Sequence, residues 1–292
     1  DHSLKVSRTD TDNETSASNP DKDITRGVRD AFKYQFNYLV GTNRLSLRIE
    51  HKTEEYEQRG TASLFGDPNQ NLDAKTDSFA SEYRYVGDRF NFSLSGRHDN
   101  NSEFDDSDSW RMTGNFKLPQ ATLFASVGES IKNPTFTERF GFFTNFIGNP
   151  DLEPEESLHW EIGARTSLLN DKLDLALTYF DANLENEING FVFDFETGGY
   201  TSGNIDGESE RKGVELELRY AQSEQFDLKA TYTYLDATQQ DFNGSDVTEV
   251  RRPEHTGSLT MNYRWHQAGL NFAISYTGAQ EDNFFPPFPP YQ

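Results

Sequence analysis

The sequence has no cysteine, which excludes disulfides and thiolate metal sites. Long apolar runs are missing too: no stretch approaches the roughly 18 to 20 continuous apolar residues that a membrane-spanning helix needs. The chain starts at Asp1 without a charged and then apolar signal segment, so we expect a mature, processed or trimmed chain. An α-helical membrane protein is therefore excluded, and the cellular location has to be inferred from the architecture.

Positive charge is scarce. The chain has 27 Lys and Arg against 49 Asp and Glu, for a net charge of -22. A polyanion such as DNA or RNA would be repelled, so nucleic-acid partners are excluded. Hydrophobic residues make up only 34% of the chain, yet aromatic residues reach 14% of it. A bias toward aromatic residues favours strands over helices.

Apolar and polar residues alternate in about thirteen segments of roughly eight to twelve residues each, which is typical of strands with two different faces. In one segment Val214, Leu216 and Leu218 fall on one side. Glu215 and Glu217 fall on the other side of the same segment. The pattern predicts an antiparallel sheet with one apolar and one polar face.

The connections between these segments alternate between tight and long. Tight ones lie at 41–43, 87–88, 119–120, 170–171, 223–224 and 266–267, and long ones at about 9–25, 57–75, 99–108, 129–155, 182–209, 236–254 and from 278 onward. Short periplasmic turns on one rim and long extracellular loops on the other are typical of outer-membrane barrels. We therefore predict an all-β, antiparallel transmembrane β-barrel. The alternative is a soluble sandwich, propeller or barrel, but such folds do not usually place every long loop on one side.

One region carries a specific resemblance. The phrase IKNPTF at 131–136 ends a predicted strand, and the phrase NPDLEPEES at 149–157 leads into the next one. Both resemble phrases of the TonB-dependent outer-membrane receptor family, of the siderophore and cobalamin type. RRPEHT at 251–256 is a weaker match to a late strand of that family. We expect a structural role for the motif residues Asn149, Pro150, Asp151, Leu152, Glu153, Pro154 and Glu155, because two prolines fix φ and withdraw donors, and Asn and Asp cap turns.

The resemblance implies a larger protein. Family members have an N-terminal plug, a segment that contacts TonB, and a barrel of 22 strands. We expect residues 1–292 to be part of that single barrel domain, about 13 of the 22 strands, with the plug and the last strands lying outside this sequence. The segment 284–291 is then expected in an extracellular loop.

Enzyme motifs are absent from the sequence: it contains no G-x-S-x-G, Gly-rich phosphate loop or H-E-x-x-H. The six histidines are scattered. We therefore predict no enzyme and no cofactor. An outer-membrane enzyme such as a lipase would need a nucleophile and a base on neighbouring positions, and no such pair is visible.

Candidate ligand-binding residues are aromatic side chains in two long loops, which can stack on a ligand above the lumen. They are Phe140, Phe142, Phe143 and Phe146 in one loop, and Phe191, Phe193 and Tyr200 in the other. Packing of the loops on each other is the alternative. A calcium site at Asp10, Asp12 and Glu14 is a weaker candidate, because the spacing resembles the start of a calcium loop but lacks its glycine and closing glutamate.

The resemblance implies a transporter in the bacterial outer membrane that imports a scarce ligand, using energy from an inner-membrane complex. Haem receptors of the family often carry a histidine between the two loop phrases, and the segment 134–149 contains none. A ferric siderophore or cobalamin is therefore the expected ligand. The expected partners are membrane lipid and lipopolysaccharide, and the TonB complex through the plug. The alternative is a passive, porin-like channel or structural barrel.

Overall fold

The computed structural model describes residues 1–16, 22–62, 66–143, 145–205, 207–241 and 244–282. Strands account for most of them, and the one helix among these residues is short. The elements are β1 His2–Ser16, β2 Lys22–Val40, β3 Asn43–Arg59, β4 Gln70–Val86, β5 Phe90–Asn101, β6 Ser107–Lys117, β7 Thr122–Lys132, α1 Phe136–Phe140, β8 Phe142–Phe143, β9 Phe146–Ile147, β10 Glu155–Leu168, β11 Leu173–Glu185, β12 Ile188–Asp194, β13 Gly199–Asn204, β14 Glu208–Ser223, β15 Phe226–Gln240, β16 Asp246–Thr248, β17 His255–Trp265 and β18 Ala268–Thr277.

Thirteen of these strands form one antiparallel sheet in which each long strand pairs with the next. The order is β1-β2-β3-β4-β5-β6-β7-β10-β11-β14-β15-β17-β18, and β16 pairs with β15 beside it. A second, four-stranded sheet, in the order β12-β13-β9-β8, is built from the loops. The predicted all-β, antiparallel architecture with about thirteen strands is confirmed. No helix in the described ranges is both long and apolar enough to cross a membrane.

The two faces of the main sheet are inverted relative to a soluble protein. Large apolar side chains point outward and stay between 40% and 63% exposed, among them Leu4, Ile49, Phe79, Leu94, Met112, Ile162, Leu177 and Leu216. Many of the buried positions on the other face are polar, as at Ser46, Glu50, Thr76, Ser78 and Ser126. An apolar exterior around a polar interior suits strands that face lipid on one side and a wet lumen on the other. We call the exposed apolar band the apolar belt.

All six predicted tight turns are present, and they lie on one rim of the sheet. Gly41 has a φ of +62°, in the left-handed region that a two-residue hairpin turn of this kind requires. The opposite rim carries the long connections and is called the long-loop rim.

The prediction of a long loop at 9–25 is wrong, because the connection between β1 and β2 is much shorter. β1 and β2 pair without interruption from His2 opposite Phe36 to Ser16 opposite Lys22, so most of that range is strand. Likewise β3 runs to Arg59 and β4 begins at Gln70, which shortens the predicted 57–75 loop. Polar strands can continue above a lipid-facing band because cross-strand pairing still satisfies their backbone groups. The predicted loop at 284–291 lies outside the described residues.

Gly213 on β14 sits where two strands approach closely. A Cβ built at this position would lie 2.1 Å from the backbone oxygen of Tyr234 and 2.8 Å from the Phe180 ring. We expect Gly213→Ala to lower the free energy of unfolding by about 1–3 kcal/mol, because the backbone cannot move aside without disturbing the β14–β15 ladder. Urea unfolding of the detergent-purified protein measures the change.

Gly96→Ala is the matched control for this prediction. It is also a strand glycine, on β5, but a Cβ there would meet nothing within 4 Å. Equal unfolding midpoints for the two variants would contradict the close approach at Gly213.

Candidate functional site

The long connection between β7 and β10 folds back over the long-loop rim and starts with the helix α1. Thr135 and Glu138 form a capping box: the Thr135 hydroxyl accepts from the Glu138 amide at 3.2 Å, and the Glu138 carboxylate accepts from the Thr135 amide at 2.7 Å. Two otherwise unpaired amides of the helix start are thereby satisfied. The T-x-x-E spacing after Pro134 thus explains why a helix begins here.

The 149–155 motif contacts the next long connection, which joins β11 to β14. The Asn149 side chain accepts from the Asp151 amide at 3.0 Å, closing a turn. Glu153 exchanges two hydrogen bonds with Asn204, at 2.9 and 3.0 Å. The Glu155 carboxylate accepts a hydrogen bond from the Ile188 amide at 2.8 Å. Strand β10 begins at Glu155 and therefore includes the last three residues of the 149–157 phrase. These contacts tie one loop to the other.

The small sheet brings the two predicted aromatic loops together. β9 pairs in parallel with β13 through Phe146 and Tyr200. Around this pair, Phe146 stacks on Phe191 at 6.0 Å between ring centroids, and Phe191 on Tyr200 at 4.4 Å. Phe143 lies 6.1 Å from Phe146, and Phe193 lies 5.6 Å from Tyr200. Five of the seven candidate residues therefore form one aromatic cluster.

Some side chains of the aromatic cluster are buried, and others keep ring faces exposed to solvent. Phe146 is 8% exposed and serves as its centre, whereas Phe143, Phe191 and Phe193 keep 39%, 49% and 45% of their surface free. Phe195, next to them, is 90% exposed. Exposed aromatic faces at this rim are able to stack on a planar or apolar ligand.

Phe140 and Phe142 do not join the cluster; their backbones are held by glutamines instead. The Gln58 side-chain oxygen accepts from the Phe142 amide at 3.1 Å, and its nitrogen donates to the Phe142 carbonyl. Gln70 donates to the Phe140 carbonyl. Gln58 is 1% exposed. Neither glutamine can be identified from the sequence, because both lie in a range that the sequence predicts as a loop and both contact a segment far away in the chain.

Gln58→Ala is expected to loosen the loop that carries α1. Losing the side chain leaves the half-buried Phe142 amide and carbonyl without this partner, which costs about 1–3 kcal/mol. The Phe142 amide should then exchange hydrogen for deuterium about tenfold faster or more. Gln225→Ala, in the exposed β14–β15 turn, is the control and should leave the exchange of Phe142 unchanged. Unaltered exchange in Gln58→Ala would contradict the clamp.

A cavity of about 700 Å³ lies beneath α1, against the inward face of β2, β3, β4 and β5. This volume is in the range of small-molecule sites, which is about 300–1,000 Å³. Tyr56 and Phe136 stack in its wall with ring centroids 5.5 Å apart. Because its lining comes from several strands and a loop, sequence patterns gave no sign of it.

A network of ion pairs lies at another part of the long-loop rim. Arg211 on β14 donates to both oxygens of Glu249, at 2.7 and 2.8 Å, and also to Glu187. Arg252 donates to Glu249 at 2.7 Å. Burial would raise the pKa of the Glu249 carboxyl, but hydrogen bonds and charge from the two arginines outweigh it and hold the pKa below its usual value. The network links the β11–β14 loop to the β15–β17 loop.

The acidic residues proposed for calcium lie on a strand. Asp10, Asp12 and Glu14 occupy alternate positions of β1. The Asp10 carboxylate accepts two hydrogen bonds from Arg26, at 3.3 and 3.0 Å. Across the described part of the chain, no group of three or more His, Cys, Asp or Glu side chains is arranged to hold a metal ion. The structure adds no support to calcium at this position.

Known proteins share this fold. The vitamin B12 transporter BtuB of Photobacterium profundum is 27% identical over 195 residues, which cover 66% of this chain and 30% of that protein. Among solved structures, the siderophore receptor PirA from Acinetobacter baumannii superimposes with a TM-score of 0.68 and 18% identity, over 89% of this chain and 43% of that one. The copper transporter OprC gives 0.71 and 13%, over 90% and 46%.

A mutant of the ferric enterobactin receptor from Pseudomonas aeruginosa, in complex with enterobactin, gives a TM-score of 0.71 and 17% identity, over 96% of this chain and 47% of that one. The chain thus spans less than half the length of each of these relatives. A family profile described as TonB dependent receptor-like, beta-barrel matches residues 2–292. The protein therefore belongs to the TonB-dependent receptor β-barrel family.

Proposed function

We propose that this chain forms part of the wall and the ligand-binding mouth of an outer-membrane importer for a scarce ligand, a ferric siderophore or cobalamin. The observation that carries the proposal is the cavity under α1, at the rim where the long loops gather. Its volume suits a small-molecule ligand, and the aromatic cluster beside it offers open rings to the same rim. Relatives named as a vitamin B12 transporter and as siderophore receptors support this ligand range.

The two faces of the sheet support the membrane placement in this proposal. The apolar belt would lie in the outer membrane, against lipid and lipopolysaccharide, with the tight turns in the periplasm and the long loops outside the cell. The loops bind ligand, and TonB acts through a plug to open a path along the polar interior. The chain's role in this scheme is binding and conduction, without catalysis.

Transport by the complete gene product tests this function. It would be expressed in outer membranes, and uptake of labelled ferric siderophores and of cobalamin measured with and without the proton-motive force. Saturable, energy-dependent uptake of a ligand is the expected result. Leakage that is indifferent to energy, or no uptake, would favour a passive porin-like barrel and overturn the importer.

A further inference from the structure

The inner face of strands β1–β5 is positively charged, although the whole chain carries a net charge of -22. Because side chains alternate along a strand, positions that share a face with the buried Ser46 and Glu50 point to the interior. From the tight-turn rim up to the row of Glu50, six cations and three carboxylates occupy this face, which leaves a formal charge of +3. The carboxylates are Glu50, Glu82 and Asp99, and the cations, which we call the cationic strip, are Lys5, Lys33, Arg44, Arg48, Arg84 and Arg97.

Two pairs of like charge stand directly opposite each other in the cationic strip. Lys5 on β1 is the register partner of Lys33 on β2. Arg44 on β3 is the register partner of Arg84 on β4. Like charges in directly opposed positions destabilise a sheet. An anion beside these pairs would offset the repulsion, so the arrangement indicates an anionic occupant of the interior.

The upper part of the strip, toward the long-loop rim, is largely compensated. Glu50 is shared by Lys33, at 2.7 Å, and Arg97, at 3.3 Å. Arg97 has a second carboxylate in Asp99, at 2.8 Å. Two cations therefore meet two carboxylates here.

The rest of the strip carries the excess charge. Glu82 is shared by Arg44, at 3.1 Å, and Arg84, at 3.3 Å, so one carboxylate serves two cations. Within the described ranges, Lys5 and Arg48 form no ion pair at all. The uncompensated charge is therefore spread over several rows of the inner wall instead of being gathered in one site.

The strip connects the cavity under α1 to the tight-turn rim. Lys52 and Arg97 line that cavity. Lys52, Arg48 and Arg44 occupy every fourth position of β3 on its inward face, which places them about 13 Å apart along the strand. Arg44 is the second residue of β3, directly after the tight turn at 41–43. Cations thus follow one another from the cavity to the opposite rim.

This arrangement suits passage of an anion better than permanent capture. Pores for anions carry Lys and Arg along the path, and conduction requires binding that is repeated and weak enough to allow exit. Arg44 and Arg84 keep 36% and 49% of their side chains exposed. Exposed charges of this kind stay hydrated and contribute only about 0–1 kcal/mol per contact, so no single step would trap the ligand.

We propose that the cationic strip guides an anionic chelate from the cavity under α1 to the periplasmic rim, and that the imported ligand is therefore an anion. The proposal rests on the function proposed above and narrows its ligand class. Each catecholate brings two negative charges, so a ferric complex of three catecholates is a trianion. Each hydroxamate brings one, so three of them neutralise Fe³⁺, and the strip gives such a complex no advantage.

Uptake by the complete gene product in outer membranes tests the proposal with three probes: a ferric triscatecholate, a ferric trishydroxamate and cyanocobalamin, which is neutral overall. In Arg48→Glu we expect the maximal energy-dependent uptake rate of the trianion to fall by about tenfold, because its path now meets a like charge. The Kd of the trianion, measured by calorimetric titration in detergent, should stay unchanged, because Arg48 does not line the cavity. Arg48→Lys keeps the charge and should keep the rate.

Arg165→Glu is the matched control. Arg165 lies on the inward face of β10, opposite Thr122 and Ala176, and within the described residues it also forms no ion pair. It lies outside the strip, so uptake of the trianion should be unchanged. Equal slowing in Arg165→Glu would contradict a path along the strip.

A second variant covers a failure of Arg48→Glu to assemble, which the heat-dependent shift in gel mobility of outer-membrane fractions would reveal. Lys5→Glu reverses the other unpaired charge of the strip at an exposed side chain. We expect it to slow uptake of the trianion in the same way.

The outcomes distinguish this inference from the proposed function. If neither Arg48→Glu nor Lys5→Glu slows uptake of the trianion, or if the unaltered protein imports only neutral probes, the inference fails and the importer stands. Energy-independent leakage of cyanocobalamin through Arg48→Glu would mean that the strip holds an acidic polypeptide in the interior, which also overturns the inference. No energy-dependent uptake of any probe by the unaltered protein overturns both.

Discussion

Leu216→Arg is expected to sharply reduce the amount of folded protein in the outer membrane. Leu216 lies in the apolar belt on β14, opposite Leu177 on one side and Tyr232 on the other, and it is 40% exposed. An arginine on the lipid face near the middle of a barrel strand costs about 2–4 kcal/mol. Water does not hydrate the charge at that depth, and the cross-strand neighbours Leu177 and Tyr232 offer it no ionic partner.

Glu217→Arg is the matched control. It introduces the same side chain one position further along β14, where alternation turns it to the polar interior. Folded protein is measured by the heat-dependent shift in gel mobility of outer-membrane fractions. We expect near-normal levels for Glu217→Arg. Equal loss in both variants would show that the apolar belt does not face lipid.

The strands and tight turns could be predicted from the sequence because their signals are local. Side chains alternate with a period of two along any strand, and residues 214–220 carry that period without interruption. Turn-forming residues, such as Gly41 and the pair at 170–171, mark the hairpins directly. Neither signal depends on contacts with distant parts of the chain. The order of the strands and the rim of tight turns can therefore be predicted from local sequence.

The length of the strands above the apolar belt was not predictable in the same way. Residues 9–16 are polar on both faces, and Ile24 is the one apolar residue of 22–25, so the alternation that marks a lipid-facing strand is lost there. Pairing of β1 with β2 nevertheless continues to Ser16 opposite Lys22. What extends these strands is the neighbouring backbone, and composition does not report it.

The candidate site was predicted only in its parts. The sequence identifies the aromatic residues of the two loops separately. The parallel pair of Phe146 and Tyr200 that joins the loops connects residues 54 positions apart in the chain. Gln58 and Phe142 are separated by 84 positions. Contacts of this kind are set by loop packing, so residues such as Gln58 look like ordinary polar loop residues in the sequence.

Arg211→Ala is expected to release the contact between the β11–β14 and β15–β17 loops. It removes both hydrogen bonds to Glu249 and leaves Glu187 without this cation. Breaking one partner of a buried ion pair costs about 3–5 kcal/mol, and because the Arg211 side chain is 21% exposed we expect roughly 2–3 kcal/mol here. Amides of 246–249 should exchange with deuterium at least about thirtyfold faster at neutral pH.

Lys212→Ala is the control on the next position of β14. Lys212 pairs with Glu210 at 2.7 Å, but the two side chains are 38% and 41% exposed. Exposed pairs of this kind contribute about 0–1 kcal/mol, so exchange at 246–249 should stay close to that of the unaltered protein. Similar acceleration in both variants would contradict a special role for the Arg211 network.

Acid should open the same contact in the unaltered protein, and the sign follows from Glu249. Its pKa in the folded protein is held below the usual 4.5, so its carboxylate stabilises the contact above about pH 4.5 and loses that effect as the pH falls through the folded value. In Arg211→Ala, burial would again raise the pKa of Glu249, so opening should begin at higher pH. Exchange at 246–249 measured across this acidic range would reveal the shift. An identical pH profile in both proteins would mean that Arg211 does not keep Glu249 ionised.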